Sequence, residues 1–188
     1  MEQFKIFLEK IVKLEQSELT IIADLFEVKQ LKKKEYLATY GEFSRQIGFV
    51  QNGVLRAFHQ NNTGEQYNKT FFTENNFVGA YSSLVTGQKN LINIQCLTDC
   101  TLLLADYKSF TTLYEAYPKI ERLARILAEQ FFVQKEKREI ELVTLEAKER
   151  YAIFQQEHPN LEQRIPQYHI ASYLGITATQ LSRIRAQK

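Results

Sequence analysis

Residues 167–188 of this 188-residue chain, QYHIASYLGITATQLSRIRAQK, predict two short helices that meet at a glycine. Ile170, Ala171 and Leu174 give the first helix an apolar face. Gly175 provides the positive φ that a tight turn between helices requires. Thr177 is the predicted N-cap of the second helix, since its hydroxyl can accept from a free backbone N–H.

The second helix of this stretch has two contrasting sides. Leu181 and Ile184, three residues apart, form an inward apolar side. The opposite side is slim and polar, which suits the DNA major groove, and carries Ala178, Thr179, Ser182 and Arg183. The spacing of Ala171, Gly175 and Leu181 resembles that of a helix-turn-helix. The alternative is an ordinary helical hairpin whose glycine is only a C-cap.

The distribution of charge favours DNA binding over that alternative. The chain has 24 Lys and Arg and 22 Asp and Glu, a net charge of +2. From Arg164 onward it carries four basic residues (Arg164, Arg183, Arg185 and Lys188) and no acidic one, which leaves 20 basic and 22 acidic residues in the remainder. A basic C-terminal unit on a mildly acidic body is typical of a DNA reader.

The composition, 44% hydrophobic and 12% aromatic, is that of a globular protein. The N-terminus intersperses charges among apolar residues, unlike a signal peptide, and no apolar run approaches the roughly 20 residues of a membrane span. We therefore expect a soluble, cytoplasmic protein with no membrane partner. Cys96 and Cys100, the only cysteines, fit small apolar residues in strands better than a four-ligand metal site, so no metal ligand is predicted.

Between residues 28 and 106, short segments rich in β-branched and aromatic residues alternate with turn residues, which predicts a small antiparallel barrel or roll. Residues 75–90 are the exception and predict a turn, a short helix and a second turn at Gly87. Two amphipathic helices precede the roll, the second with Ser17 as its predicted N-cap. The lysine run of residues 32–34 is interpreted as a solvated turn at the junction of a helix and a strand.

After residue 106 the pattern is helical. We expect one helical piece over residues 107–117, a long helix that opens at Pro118 and runs to about residue 145, and a further helix over residues 147–157. The long helix has a narrow stripe, which predicts a coiled-coil-like seam between two subunits, at Ile120, Leu123, Leu127, Phe131 and Gln134. Packing against the chain's own roll is the alternative, and different faces could do both.

This order of elements resembles the cyclic-AMP receptor protein / fumarate-nitrate regulator (Crp/Fnr) family of bacterial transcription factors. The resemblance rests on QNGVLRAF (residues 51–58), FVGAYSSL (77–84), the helix at Pro118 and IPQYHIASYLGITATQLSRIR (165–185). It implies an α+β chain with three parts. These are an N-terminal antiparallel β-roll like a cyclic-nucleotide-binding jelly roll (residues 1–117), a dimerisation helix (118–145) and a helix-turn-helix DNA-binding domain (146–188).

The resemblance also places an effector pocket, for which the candidate residues are Gly79, Ala80, Tyr81, Ser82, Asn90, Leu91 and Lys135. Relatives that bind cyclic AMP have a glutamate at the position of Ala80 and an arginine–serine pair at those of Asn90 and Leu91. A threonine–serine pair that reaches the base corresponds here to Lys135 and Glu136. Without the guanidinium, the strongest contact to the phosphate is lost, so we expect this roll not to bind cyclic AMP in the usual way. We predict no cofactor and leave the effector unidentified.

In the C-terminal unit, relatives read bases from positions that here hold Ala178, Thr179 and Arg183. Arg183 alone keeps a residue type common in relatives, and it suits a bidentate contact to guanine. Thr177 and Gln180 are expected to bond phosphates, Ser182 lies on the same face, and Arg185 and Lys188 add charge at the edge. Relatives often continue into a β-hairpin wing, and we expect this chain to lack a full one.

The predicted function is a dimeric DNA-binding transcription regulator and not an enzyme. The predicted partners are a palindromic duplex and a second copy of the chain, with RNA polymerase as a further candidate. A cupin-type enzyme would need a cluster of histidines and a carboxylate, but the predicted roll holds only His59. The other alternative is a small-molecule or protein-binding module whose helical unit serves assembly.

Overall fold

The computed structural model describes residues 1–187, and Lys188, expected at the edge of the DNA interface, lies outside the described residues. The helices are α1 (Glu2–Ile11), α2 (Gln16–Leu25), α3 (Tyr81–Thr86), α4 (Tyr107–Thr111), α5 (Pro118–Thr144), α6 (Ala147–Glu157), α7 (Leu161–Arg164), α8 (Gln167–Leu174) and α9 (Ala178–Ala186). The strands are β1 (Glu27–Leu31), β2 (Tyr36–Ala38), β3 (Gln46–Asn52), β4 (Leu55–Gln60), β5 (Gln66–Phe72), β6 (Phe77–Val78), β7 (Asn93–Cys96) and β8 (Cys100–Asp106).

The strands form a roll of two four-stranded sheets, and every neighbouring pair of strands is antiparallel. One sheet has the order β1-β8-β3-β6 and the other β2-β7-β4-β5. Between them lies a buried core that includes Val50, Leu55, Phe72, Ile94 and Leu102. The predicted antiparallel roll and the α+β class are confirmed.

Both outer faces of the roll are also covered. Along β8, Leu102 and Leu104 face the core between the sheets, whereas Leu103 and Ala105 join a second core under α1, α2, α4 and α5. Because successive strand residues point to opposite faces, a strand covered on both sides is apolar throughout. This explains the uninterrupted run LLLA in β8.

The outer face of the second sheet is covered by the helices α6–α9, which we term the head. Val54, Phe71 and Leu97 of the roll share one buried cluster with head residues that include Phe154, Ile170, Leu174 and Leu181. The head therefore packs on the roll of its own chain. We term this contact surface the junction.

Three local predictions are wrong. Helix α2 begins after Glu15 and not at Ser17, because Glu18 Oε2 accepts a hydrogen bond from Glu15 N (2.7 Å). The helical piece after the roll ends at Thr111, and turns follow it up to residue 116. The lysine run lies in an exposed turn, as predicted, but this turn joins β1 and β2 and not a helix and a strand.

The stripe on α5 is divided between two environments. Ile120 and Leu123 are fully buried in the core under α1 and α2, so the first part of the predicted seam packs on the chain's own roll. Further along, Phe131 is 45% exposed and Gln134 is exposed. No helix within residues 1–187 combines the length and apolar character that crossing a membrane requires.

Burial of Leu123 predicts its contribution to stability. We expect Leu123→Ala to lower the free energy of unfolding by about 2–5 kcal/mol, because a cavity opens where α5 meets the roll. Arg122→Ala, at the exposed neighbouring position, should change it by less than about 0.5 kcal/mol. Urea unfolding of both variants checks this. Equal effects would mean that α5 does not pack on the roll in this register.

Candidate nucleic-acid interface

Helices α8 and α9 have the predicted geometry of two helices around a glycine. Gly175 adopts the left-handed conformation (φ 68°, ψ 32°) and ends α8. Thr177 caps α9, as predicted: its hydroxyl accepts from Gln180 N (3.1 Å), and Gln180 Oε1 accepts from Thr177 N (2.9 Å). This reciprocal pair is a capping box, so the Gln180 side chain that was expected on a phosphate also fixes the start of α9.

The two sides of α9 differ as the sequence predicts. Leu181 is buried and Ile184 half-buried against α8 and the rest of the head. The rest of the surface of α9 is open to solvent, and all seven of the predicted DNA-binding residues are exposed: Thr177, Ala178, Thr179, Gln180, Ser182, Arg183 and Arg185. The structure therefore brings these residues to one accessible helix and its N-cap.

The basic residues of this region differ in their partners. Arg164 is paired with Glu74 of the roll (2.6 Å), and Arg185 lies 3.8 Å from Glu162. Arg183 has no ion-pair partner among residues 1–187. The positive charge of the C-terminal unit is thus partly neutralised within the chain. Of the two arginines of α9, Arg185 lies near Glu162, whereas Arg183 has no ion-pair partner in the described chain.

The junction holds α8 against the roll through buried polar contacts. Arg56 Nη1 lies 3.1 Å from His169 Nδ1, and Asn68 Nδ2 donates to His169 O (2.8 Å). Ser172 Oγ accepts from Asn68 N (3.0 Å) and donates to Gln66 O (2.7 Å). Because these contacts use backbone groups of both β5 and α8, they fix where the first helix of the motif lies on the sheet.

His169 is neutral at pH 7. Burial, followed by the positive charges of Arg56 and Lys33, lowers the pKa of His169 to about 4. A neutral ring can accept through Nδ1 from the Arg56 guanidinium, which a protonated ring could not do. Arg56, Asn68 and His169 were not predicted from the sequence, where the one available signal was the arginine within the apolar run VLRAF (residues 54–58).

Two cations from other elements secure the end of α8. Arg138 of α5 hydrogen-bonds Tyr173 O and stacks on the Tyr173 ring, 4.0 Å from its centroid. Arg150 Nε of α6 donates to Leu174 O (3.1 Å). Guanidinium groups at these carbonyls satisfy acceptors that a helix C-terminus leaves free and oppose its negative dipole end.

The predicted effector residues do not all meet. A cavity of about 450 Å³ beside β2 is lined by Ala80 and Asn90, together with residues of the β2–β3 loop. Asn90 Nδ2 donates to Thr39 O (3.0 Å), while Asn90 Oδ1 is buried without a hydrogen-bond partner in the described chain. Tyr81, Ser82 and Leu91 are exposed, Gly79 precedes Ala80 and is half-buried, and Lys135 pairs with Glu139 on α5 outside this lining.

Metal chemistry has no evident site in residues 1–187, where no group of three or more His, Cys, Asp or Glu side chains is placed to hold an ion. Cys96 and Cys100 are free thiols, buried at the end of β7 and the start of β8, so the prediction of strand cysteines is confirmed.

Comparison with known proteins agrees with this architecture. Residues 28–117 match the family profile of the cyclic nucleotide-binding domain. Among solved structures, FixK2 from Bradyrhizobium japonicum is 18% identical, with 86% of this chain and 83% of that chain covered and a TM-score of 0.76. A CooA variant from Carboxydothermus hydrogenoformans is 18% identical, with 96% and 83% covered and a TM-score of 0.72.

A third similar structure comes from Eubacterium rectale and is assigned to the crp/fnr family of transcriptional regulators. It is 15% identical, with 93% of this chain and 83% of that chain covered and a TM-score of 0.71. At these identities the likeness establishes a shared fold. No curated protein matches the chain in sequence.

The ion pair between the roll and the head predicts a pH dependence. Hydrogen bonds from Arg164, with a further one from Gly53 N, lower the pKa of Glu74 from 4.5 to about 2. Its stabilising contribution is therefore complete above about pH 4.5 and is lost as the pH falls towards 2. Thermal unfolding from pH 6 to 2 should show a smaller decline in Tm for Glu74→Gln and Arg164→Gln than for the wild type. Parallel curves for all three proteins would contradict the ion pair.

Proposed function

We propose that this chain, which has the fold of the Crp/Fnr regulators and carries a cyclic nucleotide-binding domain, is a DNA-binding transcription regulator. The family resemblance drawn from the sequence is confirmed for the fold. The observation that carries the functional proposal is α9, whose Leu181 is held in the head while its slim polar side is free in solvent. A helix of this shape fits the major groove, which is about 12 Å wide.

Arg183 is the proposed base-reading residue. It stands on the exposed side of α9, without an acidic neighbour in the described chain, and its guanidinium can donate two parallel hydrogen bonds to guanine O6 and N7. Thr179 lies one turn before it and Ala178 is the first residue of α9, and the two set a half-site through hydroxyl and small apolar contacts. Thr177 and Gln180 lie at the N-terminus of α9, where side-chain and backbone donors suit phosphate oxygens.

The proposed regulator is a dimer that assembles along α5. Beyond the part buried on the roll, α5 exposes several large apolar side chains, with exposed fractions of 45% to 86%: Phe131, Phe132, Val133, Ile140 and Val143. Exposing these apolar side chains to water is unfavourable, and packing α5 against α5 of a second copy would bury them. Two heads related by a twofold axis would then read a palindromic duplex, and RNA polymerase is a candidate for a further contact.

We further propose that the roll does not take cyclic AMP in the usual way. The positions at which relatives hold the cyclic phosphate are here Asn90 and Leu91, and neither side chain carries a positive charge; Leu91 is exposed and does not line the cavity beside β2. Asn90 is itself buried and bonded to the backbone of Thr39. A cyclic phosphate would therefore meet no guanidinium from these positions.

The proposal is tested by selecting bound duplexes from a random pool with the purified full chain. We expect a palindrome whose half-sites lie about one helical turn apart, and an affinity that falls steeply as salt rises. Arg183→Ala should remove the preference for guanine at one position of each half-site, at a cost of about 1–3 kcal/mol on that sequence.

Arg185→Ala is the matched control, since it removes the same group two residues away on α9, where Glu162 lies nearby. It should weaken all duplexes by similar, smaller factors. If Arg183→Ala also weakened every sequence uniformly, Arg183 would contact only phosphate. If no sequence were enriched, the chain would be a binding module whose head serves assembly.

A further inference from the structure

Arg56 is a buried cation that has no acidic partner in the described part of the chain. Its side chain lies on β4 under the head, and the residue is 4% exposed. Within residues 1–187, no carboxylate lies within the 4.0 Å that defines an ion pair with it. Burial lowers the pKa of Arg56 to about 10, which reflects the cost of keeping the charge out of water. Buried charges are ordinarily paired, so an uncompensated one requires an explanation.

The donors of Arg56 are bonded to neutral acceptors only. Nε and Nη2 share Gln95 Oε1 (3.1 and 2.7 Å), and Nη2 also donates to Gln66 Oε1 (2.7 Å). Nη1 donates to Asn68 Oδ1 (3.1 Å) and faces His169 Nδ1. These contacts satisfy hydrogen bonds but leave the positive charge unneutralised.

A cavity of about 320 Å³ opens beside this guanidinium, at the junction. The roll contributes Lys33, Lys34 and Arg56 to its wall, and the head contributes Tyr168 and His169. Among residues 1–187, none of the side chains that line the cavity is acidic. The cavity thus combines three cationic residues with neutral polar groups, and it lies between two parts of the chain.

Asp99, the carboxylate bonded to the lysine run from the side of β8, is bound outside the cavity. Asp99 is paired with Lys32 (3.0 Å), which does not line the cavity. Asp99 also accepts from the backbone N of Lys33 (2.9 Å), while Lys34 N donates to Cys96 O (2.8 Å). These bonds fix the turn at the cavity mouth, and neither lysine ammonium has an ion-pair partner in the described chain.

We propose that this cavity binds a small dianion of the phosphate or phosphate-monoester class, held by Arg56, Lys33 and Lys34 between the roll and the head. A phosphate offers several acceptor oxygens, and a guanidinium with ammonium groups is the donor set that suits it. The anion would replace Gln66 Oε1 on Nη2, since the Gln66 amide is otherwise tied only to Gln60 at the surface (3.4 Å). Ligand pockets span about 300–1,000 Å³, so this volume suits a compact metabolite.

Such a ligand would stabilise the docked head. Lys33, Lys34 and Arg56, which would hold the anion, belong to the roll, and Tyr168 and His169 of α8 complete the wall around it, so the docked head encloses the ligand. Its binding energy therefore adds to the stability of that arrangement. A consequence for DNA reading follows only if the proposed regulatory function holds, whereas binding of the anion does not depend on it.

The test is binding to the full chain in the absence of DNA. Thermal unfolding and calorimetry are run with inorganic phosphate and, separately, with glycerol 3-phosphate, each against chloride at equal ionic strength and pH 7.5. We expect a higher Tm in phosphate and in glycerol 3-phosphate than in chloride at the same ionic strength. The tighter of the two identifies the source, free phosphate or a phosphorylated metabolite.

Lys33→Gln should weaken binding about tenfold, since it removes one charge-assisted contact at an exposed position where folding is not at risk. Lys32→Gln makes the same change of charge one residue away, outside the cavity, and should weaken binding less than about twofold. Arg56→Gln should abolish binding. If that variant does not fold, the difference in affinity between Lys33→Gln and Lys32→Gln still tests the site.

Equal Tm values in phosphate and chloride would overturn the site, as would equal weakening by Lys32→Gln and Lys33→Gln, which would mean diffuse attraction to the lysine run. Because DNA takes no part, these outcomes leave the proposed function untouched. A failure to enrich any duplex would likewise leave the anion site standing.

Discussion

The buried guanidinium of Arg56 is the interaction on which the junction depends. One side chain ties together β4, β5, β7 and α8, through Gln66 and Asn68 of β5, Gln95 of β7 and His169 of α8. It also lies over the Phe58 ring, 3.8 Å from the centroid. A buried cation tolerates few arrangements, because every displaced donor costs about 1–3 kcal/mol or more. The contact therefore selects one position for the head.

The rest of the architecture follows from covering both outer faces of one roll. The helices α1, α2 and α5 pack on the first sheet and the head packs on the second, so β8 is apolar on both sides, while the edge strand β1 stays largely exposed. Docking by α8 leaves α9 with its polar side in solvent. A head held firmly by its first helix and free at its second is suited to presenting that second helix to DNA.

Local chemistry made much of this predictable. Gly175 and Thr177 specify their own conformations within a few residues, and the bounds of α6 followed from the pattern of residues 147–157. The junction was not predictable, since Arg56 and His169 are 113 residues apart and only the fold pairs them. The same reason explains Arg164, whose charge seemed available to DNA until the fold placed Glu74 beside it. The cover of Ile120 and Leu123 was not predictable either, because an apolar stripe on a helix does not indicate whether the same chain or a second subunit packs on it.

A double-mutant cycle on Arg56 and His169 tests the central claim, that buried polar contacts hold the head on its own roll. The free energy of unfolding is measured for Arg56→Gln, His169→Gln and the double variant. Side chains in direct contact should show a coupling energy of about 0.5–3 kcal/mol. Additive effects, with a coupling below about 0.3 kcal/mol, would mean that the two side chains do not meet and that the head is not docked in this way.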